Sequence, residues 1–132
     1  NYKINQYILR DLGYVKYYSI PLFFNLRKKL LKKKAIKYSN DILVILDKKK
    51  IIPNLILIDG RYRVLTALFL HKFFYKKKNK FLIIIDDYKE RKFYRVIEKF
   101  FIVKLVGRFG ILNKVKKNNP SSLIKKYSED YR

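Results

Sequence analysis

The fold of this chain is decided by residues 54–60, which read Asn54-Leu55-Ile56-Leu57-Ile58-Asp59-Gly60. An apolar run without polar alternation is typical of a strand that is buried on both faces of a parallel sheet. A second such run, residues 81–85, ends in Asp86-Asp87. The residues between them, 61–74, predict a helix that is apolar on most sides. Strand, helix and strand in this order indicate a right-handed βαβ unit.

The flanking residues predict further helices and one more strand. Upstream, the pattern favours a helix from Pro21 to about Lys37 and a short second helix, capped by Ser39 or Asn40, that runs through Leu46. Downstream, apolar residues at helical spacing predict a helix followed by a turn into a final strand within residues 106–112. The helical stripe consists of Phe93, Val96, Ile97, Phe100 and Phe101.

The two apolar runs and their carboxylates resemble the fourth and fifth strands of class I S-adenosylmethionine-dependent methyltransferases. The stretch Asp59-Gly60-Arg61-Tyr62-Arg63-Val64 is similar to Asp-Gly-Arg-Phe-Arg-Val of a bacterial methyltransferase-like group. That group also has an aspartate–aromatic pair and an Arg-x-x-Tyr element, matched here by Asp87-Tyr88 and by Arg91 with Tyr94. The resemblance implies an α/β fold, a partial Rossmann-like three-layer sandwich with a mainly parallel sheet.

The resemblance divides the chain into three segments. Residues 1–37 match poorly and are expected to be partly helical, residues 38–112 correspond to the C-terminal half of a methyltransferase-like domain, and residues 113–132 are a polar tail. The chain begins at Asn1 and contains no methionine, which is more typical of a cut piece than of a gene start. We therefore expect an upstream half, or a separate partner chain, to complete the domain.

The resemblance also implies the roles of several residues. Ligands of open α/β sheets bind outside the carboxyl ends of the strands, where Asp59, Gly60 and Asp87 are expected. The catalytic candidates are Asp59 and Asp87, and Gly60 is the cofactor-binding candidate. The candidates for binding the methyl acceptor are Arg61, Arg63, Arg91 and Tyr94.

Several of these candidates also have a structural explanation. Asp59 could cap the following helix, Arg61 and Arg63 could form ion pairs with nearby carboxylates, and Asp87 with Glu90 forms a capping-box pattern. Asp59, Asp86 and Asp87 resemble the divalent-cation site of catechol-type methyltransferases, but capping explains them without a metal, and we expect no metal site. His71 is the only histidine and lacks a nucleophile partner, so it is interpreted as an ordinary helix residue.

The cofactor site implied by the resemblance needs a glycine-rich turn after the first strand and an acidic residue after the second. The sequence has four glycines, at positions 13, 60, 107 and 110, and no glycine-rich loop. S-adenosylmethionine is therefore expected to bind only in the full-length context. The prediction is a methyltransferase-like fragment that is inactive alone and whose methyl acceptor is unknown.

Composition supports a competing function. The formal net charge is +23, carried mostly by lysine, and 17% of the residues are aromatic. This composition is typical of an AT-rich genome, but it also suits weak binding of polyanions, so a basic nucleic-acid-binding or ribosome-binding protein is the alternative. A third possibility is a structural remnant that pairs with another chain through an exposed sheet edge. Apolar runs too short for a bilayer, no signal-peptide pattern and no cysteine lead to an expected cytoplasmic location without membrane association.

Overall fold

The computed structural model describes residues 28–77 and 79–130, together with the backbone of two short strands near the N-terminus. The strands are β1 (Val15–Lys16), β2 (Ile20–Pro21), β3 (Leu55–Ile58), β4 (Leu82–Ile85), β5 (Phe101–Val106) and β6 (Phe109–Val115). The α-helices are α1 (Lys28–Lys48), α2 (Arg63–Tyr75) and α3 (Ser121–Tyr127), and a 3₁₀ helix spans Lys92–Lys99.

The central sheet has four strands in the order β3-β4-β6-β5. Strands β3 and β4 are parallel, as the βαβ pattern predicts, with Leu55 opposite Leu82 and Ile58 opposite Ile85. Strand β6 is antiparallel to both of its neighbours, so the sheet is mixed. The prediction of a mainly parallel sheet is wrong, because the chain returns through a hairpin after β5 instead of through a helical crossover.

That hairpin replaces part of a predicted helix. The stripe from Phe93 to Phe101 predicts one helix, but the 3₁₀ helix ends at Lys99 and β5 begins at Phe101. Residues 101–106 are rich in branched and aromatic side chains, which suit a pleated strand better than a helix. Gly107 turns the chain at a φ of +59°, a conformation that costs glycine little, and β6 follows.

Helix α1 is one continuous helix of 21 residues where the sequence predicts two. Its buried residues, Leu31, Ala35, Ser39 and Leu43, recur every four positions and form a single stripe. This packing overrides the capping tendency of Ser39, which lies inside the helix and not at its start. The predicted start at Pro21 is also wrong because Pro21 belongs to β2, and residues 22–27 lie outside the described residues.

The proposed segment boundaries fall inside regular elements. The boundary at residue 37 lies within α1, and the boundary at residue 112 lies within β6. Beyond it, α3 places Leu123, Ile124 and Tyr127 against the core, so the polar tail contributes apolar contacts. In the described part of the chain, every helix is too short or too polar to cross a bilayer.

The two faces of the sheet differ sharply. One face packs against the helices and includes Ile83, Ile85, Phe101 and Leu112, each with 0% of its surface exposed. The other face, which we name the open face, consists of Leu55, Leu57, Leu82, Ile84 and Ile111. Leu55 and Leu57 are 60% and 64% exposed. The described residues thus cover one face only and do not form the predicted three layers.

Candidate functional site

The strand ends bring the predicted carboxylates together. Because Ile58 and Ile85 are register partners in parallel strands, Asp59 and Asp86-Asp87 emerge at the same edge of the sheet. Arg63, in the first turn of α2, lies between them. The structure thus assembles at one edge side chains that are more than twenty residues apart in sequence.

Arg63 is the centre of this arrangement, and its side chain is 11% exposed. Its Nε donates to the carbonyl of Gly60 at 2.9 Å, and its Nη1 donates to the carbonyl of Asp86 at 2.6 Å. Its guanidinium also forms ion pairs, with Asp59 Oδ1 at 3.2 Å and with Asp87 Oδ2 at 3.7 Å. One arginine therefore ties the turn after β3 to the turn after β4.

Two further arginines complete the group. Arg91 Nη2 lies 3.3 Å from Asp87 Oδ2. Arg108, from the β5–β6 turn, contacts Asp86 through Nε at 2.7 Å and through Nη2 at 2.9 Å, and its Nη1 lies 3.8 Å from Asp87 Oδ1. We name this group the strand-end cluster; its members are Asp59, Asp86, Asp87, Arg63, Arg91 and Arg108.

The strand-end cluster decides between the structural explanations offered by the sequence. Asp59 does not cap α2, whose N-cap position is Tyr62 and which has no side-chain cap. Asp87 likewise does not cap the 3₁₀ helix, whose N-cap position is Arg91. The ion-pair explanation is the one that the geometry supports, since three carboxylates face three guanidinium groups. In the described part of the chain, no three His, Cys, Asp or Glu side chains are grouped to hold a metal ion.

Two residues of the site adopt a left-handed backbone. Tyr62 has a φ of +56° and Asp87 a φ of +52°, which is uncommon for residues other than glycine and unusual for a bulky aromatic. Such conformations persist only where the surroundings fix them. Tyr62 is fixed by burial against Ala35 and Leu65, and burial raises the pKa of its hydroxyl to about 12. The sequence pattern offered no signal for this conformation.

Gly60 is explained by close packing. A Cβ at this position would overlap the hydroxyl group of Tyr38, which extends from α1. The space that glycine leaves is thus filled by the protein itself. The assignment of Gly60 to a cofactor stays a prediction, and the packing of Tyr38 is the role that the structure describes.

Arg61 and Arg63 point to different places, as their two-residue spacing predicts. Arg63 lies in the strand-end cluster, whereas Arg61 lines a groove of about 500 Å³ between α1 and one edge of β3. No other described strand pairs with this edge, which we name the free edge. Asp59 and Gly60 lie at the same end of the groove, and Ile42 and Leu55 contribute to its apolar walls. We name this groove the edge groove.

The ring of Tyr94 lies beside the guanidinium group of Arg91. The guanidinium carbon of Arg91 lies 5.8 Å from the centre of the Tyr94 ring, and Tyr94 is 1% exposed. Burial raises the pKa of Tyr94, an effect that the nearby Arg63 and Arg91 partly oppose. Tyr88 is also buried, donates to the carbonyl of Tyr94 at 3.2 Å, and has its pKa raised mainly by burial. The role of Tyr94 in acceptor binding stays a prediction.

His71 lies at the opposite end of α2 and is 1% exposed. Its Nε2 donates to the carbonyl of Lys116 at 2.9 Å, and its ring makes edge contacts with Phe100 and Phe101. Burial lowers the pKa of this imidazole. The interpretation of His71 as an ordinary helix residue missed this connection between α2 and the end of β6, because the partner is a backbone carbonyl distant in sequence.

The fold and the site define an α/β domain with charged side chains at the carboxyl ends of two parallel strands. The chain is similar to the crystal structure of a methyltransferase-like protein from Silicibacter pomeroyi DSS-3, with a TM-score of 0.68 and 19% sequence identity. The similarity covers 95% of this chain and 61% of that protein, so the chain spans less than two thirds of its length. At this identity the comparison shows a methyltransferase-like fold. No protein-family model and no curated protein sequence matches the chain.

Proposed function

We propose that this chain is the C-terminal part of an S-adenosylmethionine-dependent methyltransferase-like domain, that it lacks the cofactor-binding half, and that it is inactive alone. The observation that carries the proposal is the free edge of β3 beside the open face. In a doubly wound sheet the strands lie in the order 3-2-1-4-5-6. Strand 4, the first strand of the second half, therefore pairs with strand 1, the first strand of the first half. We assign the position of strand 4 to β3, which is followed by α2 and by the parallel strand β4.

The glycines of the described residues do not form the glycine-rich turn of a cofactor site. Gly60 is packed against Tyr38, Gly107 forms a hairpin turn, and Gly110 lies against the ring of Tyr88. None of them belongs to a glycine-rich turn between a strand and a helix, which is what such a site needs. When bound, S-adenosylmethionine would supply the methyl group. We assign its binding to the missing half.

The contribution of this chain is then the acceptor side of the site. Asp59, which is 58% exposed, and Arg61 lie at the mouth of the edge groove, where a polar acceptor can reach them. Asp87 lies in the adjoining strand-end cluster, where Arg63 forms ion pairs with both carboxylates and Arg91 forms one with Asp87. We propose that Asp59 and Asp87 act on the acceptor and that Arg61, Arg63, Arg91 and Tyr94 orient it.

Calorimetric titration with S-adenosylmethionine tests the proposal. We expect no binding to this chain alone and binding to the complete native polypeptide, or to this chain mixed with the chain that supplies the missing half. Binding to this chain alone would disprove the division of the site. Absence of binding to every form would disprove the proposal that S-adenosylmethionine is the cofactor.

Substitution tests the acceptor side. In the complete protein, we expect Asp59→Ala and Arg61→Ala to lower methyl transfer while thermal unfolding stays close to that of the parent. A large loss of stability from either change, with activity of the folded fraction intact, would assign these residues a structural role instead.

A further inference from the structure

A second groove lies at the C-terminal end of α2, away from the strand-end cluster. It has a volume of about 370 Å³, and its wall includes Lys72, Tyr75, Lys76 and Lys117. Since α2 has 13 residues, its two ends lie roughly 20 Å apart. We name this surface the lysine groove, and the proposed methyl-acceptor site does not include it.

Tyr75 gives the lysine groove a rigid aromatic surface. Its ring stacks on His71 with a centroid distance of 5.6 Å and an interplanar angle of 27°, yet the residue is 47% exposed. His71 is buried and donates to the carbonyl of Lys116. The hydrogen bond therefore fixes α2 to the segment that carries Lys117, so both walls of the groove are held before a ligand arrives.

The charge of the lysine groove has one sign. Three lysines line it, and no aspartate or glutamate is among its lining residues. The carboxylate of Asp47, near the C-terminal end of α1, is engaged by Lys77 at 2.7 Å. The C-terminal carbonyls of α2 carry roughly half a negative charge, which three ammonium groups exceed. The groove therefore attracts anions.

We propose that the lysine groove binds single-stranded nucleic acid, with one base stacked on Tyr75 and the flanking phosphates bound by Lys72, Lys76 and Lys117. Proteins that bind single strands without sequence preference combine a positive groove with an aromatic stacking surface, and both are present here. A groove of this volume is at the lower end of the range for small-molecule sites, which suits one nucleotide. An anionic membrane surface would need the positive charge but would not need a held aromatic ring.

Fluorescence anisotropy with a labelled short oligouridylate tests this proposal, because that strand forms no structure of its own. We expect Tyr75→Ala to weaken binding at least about fivefold and Tyr75→Phe to stay within about twofold of the parent, since stacking needs only the ring. Changing Lys72, Lys76 and Lys117 together to Gln should weaken binding at least about tenfold. The same change should reduce the salt-dependence slope by about 2.

A charge-matched control separates the groove from the general basicity of the chain. Lys33, Lys37 and Lys48 are exposed on α1, do not line the groove, and lose the same charge when changed to Gln. We expect this control to weaken binding less than about threefold at physiological salt. Equal weakening by both triple changes, or an unchanged affinity in Tyr75→Ala, would overturn the proposal. Circular dichroism confirms that each variant is folded.

Discussion

The two faces of the sheet are built from the same residue types but have different surroundings. Ile83, Ile85 and Phe101 are fully buried under the helices, whereas Leu55 and Leu57 on the open face are more than half exposed. Unbroken apolar strands are typical of sheets covered on both sides. Strands of this composition suit a second covering layer, which the described residues do not supply. The difference between the faces therefore supports the proposal of a missing half more directly than the charge or the composition does.

The largest expected difference between the faces is in stability. Phe101→Ala should lower the free energy of unfolding by about 3–5 kcal/mol, because it leaves a cavity in the covered face. Leu57→Ala should change it by no more than about 0.5 kcal/mol, because its side chain already contacts water. Urea denaturation of both variants measures this. A loss of comparable size from Leu57→Ala would mean that the open face is covered in solution.

Substitutions in the strand-end cluster should have an intermediate effect on stability. Arg63→Met removes the guanidinium that joins the two strand-end turns, and we expect a loss of about 2 kcal/mol after allowance for the exposed partner Asp59. Arg91→Met removes a more exposed pair and should cost less than about 1 kcal/mol. Thermal unfolding of the two variants compares them. Equal losses would contradict the central position of Arg63 in the strand-end cluster.

The burial of His71 predicts that the stability of the folded state depends on pH. The pKa of His71 is lowered by burial, so the unfolded state binds a proton more readily than the folded state. Stability should be constant above about pH 6.5, the ordinary pKa of histidine, and should fall as the pH drops below it towards the lower pKa of the folded state. Unfolding midpoints between about pH 8 and pH 5 measure this, above the range in which ordinary carboxylates titrate.

The control for this prediction is His71→Gln, which removes the only imidazole of the chain. We expect a flatter stability profile over the same pH range. A profile as steep as that of the parent would assign the dependence to other groups.

The smallest stability effect is expected on the open face. Changing Leu55 and Leu57 together to Lys should leave the free energy of unfolding within about 0.5 kcal/mol of the parent, since both side chains are exposed. It should nevertheless reduce the binding of a hydrophobic dye such as anilinonaphthalene sulfonate, which reports exposed apolar surface. Unchanged dye binding would show that the dye binds elsewhere on the chain.

The sequence predicted the βαβ unit well because its signals are local. The apolar runs at 55–58 and 82–85 and the apolar helix between them depend on neighbouring residues alone. The continuous helix α1 was missed because its stripe of Leu31, Ala35 and Leu43 is defined by contact with other elements. Strand β5 was missed because Phe93 and Phe101 lie at helical spacing in the sequence although they belong to two separate elements, the 3₁₀ helix and β5.

The candidate site was partly predictable for the same reason. Strand ends that meet at one edge of a sheet identify Asp59, Asp86 and Asp87 from sequence. Arg108 was missed because it reaches the cluster from a hairpin that the sequence did not reveal. The left-handed Tyr62 and the contact of Tyr38 with Gly60 depend on how α1 packs against the turn after β3. Such packing is not encoded in any short stretch.

Amide hydrogen exchange along β3 tests the central claim most directly. The carbonyls of Asn54 and Ile58 accept from the amides of Leu82 and Asp86. Alternate residues of β3 therefore face β4, and the amides of Leu55 and Leu57 face the free edge. In this chain alone, we predict fast exchange at Leu55 and Leu57 and slow exchange at Ile56 and Ile58. Slow exchange should appear at all four when the missing half is present. Protection of Leu55 and Leu57 in this chain alone would contradict the account, because it would show that the edge is already paired.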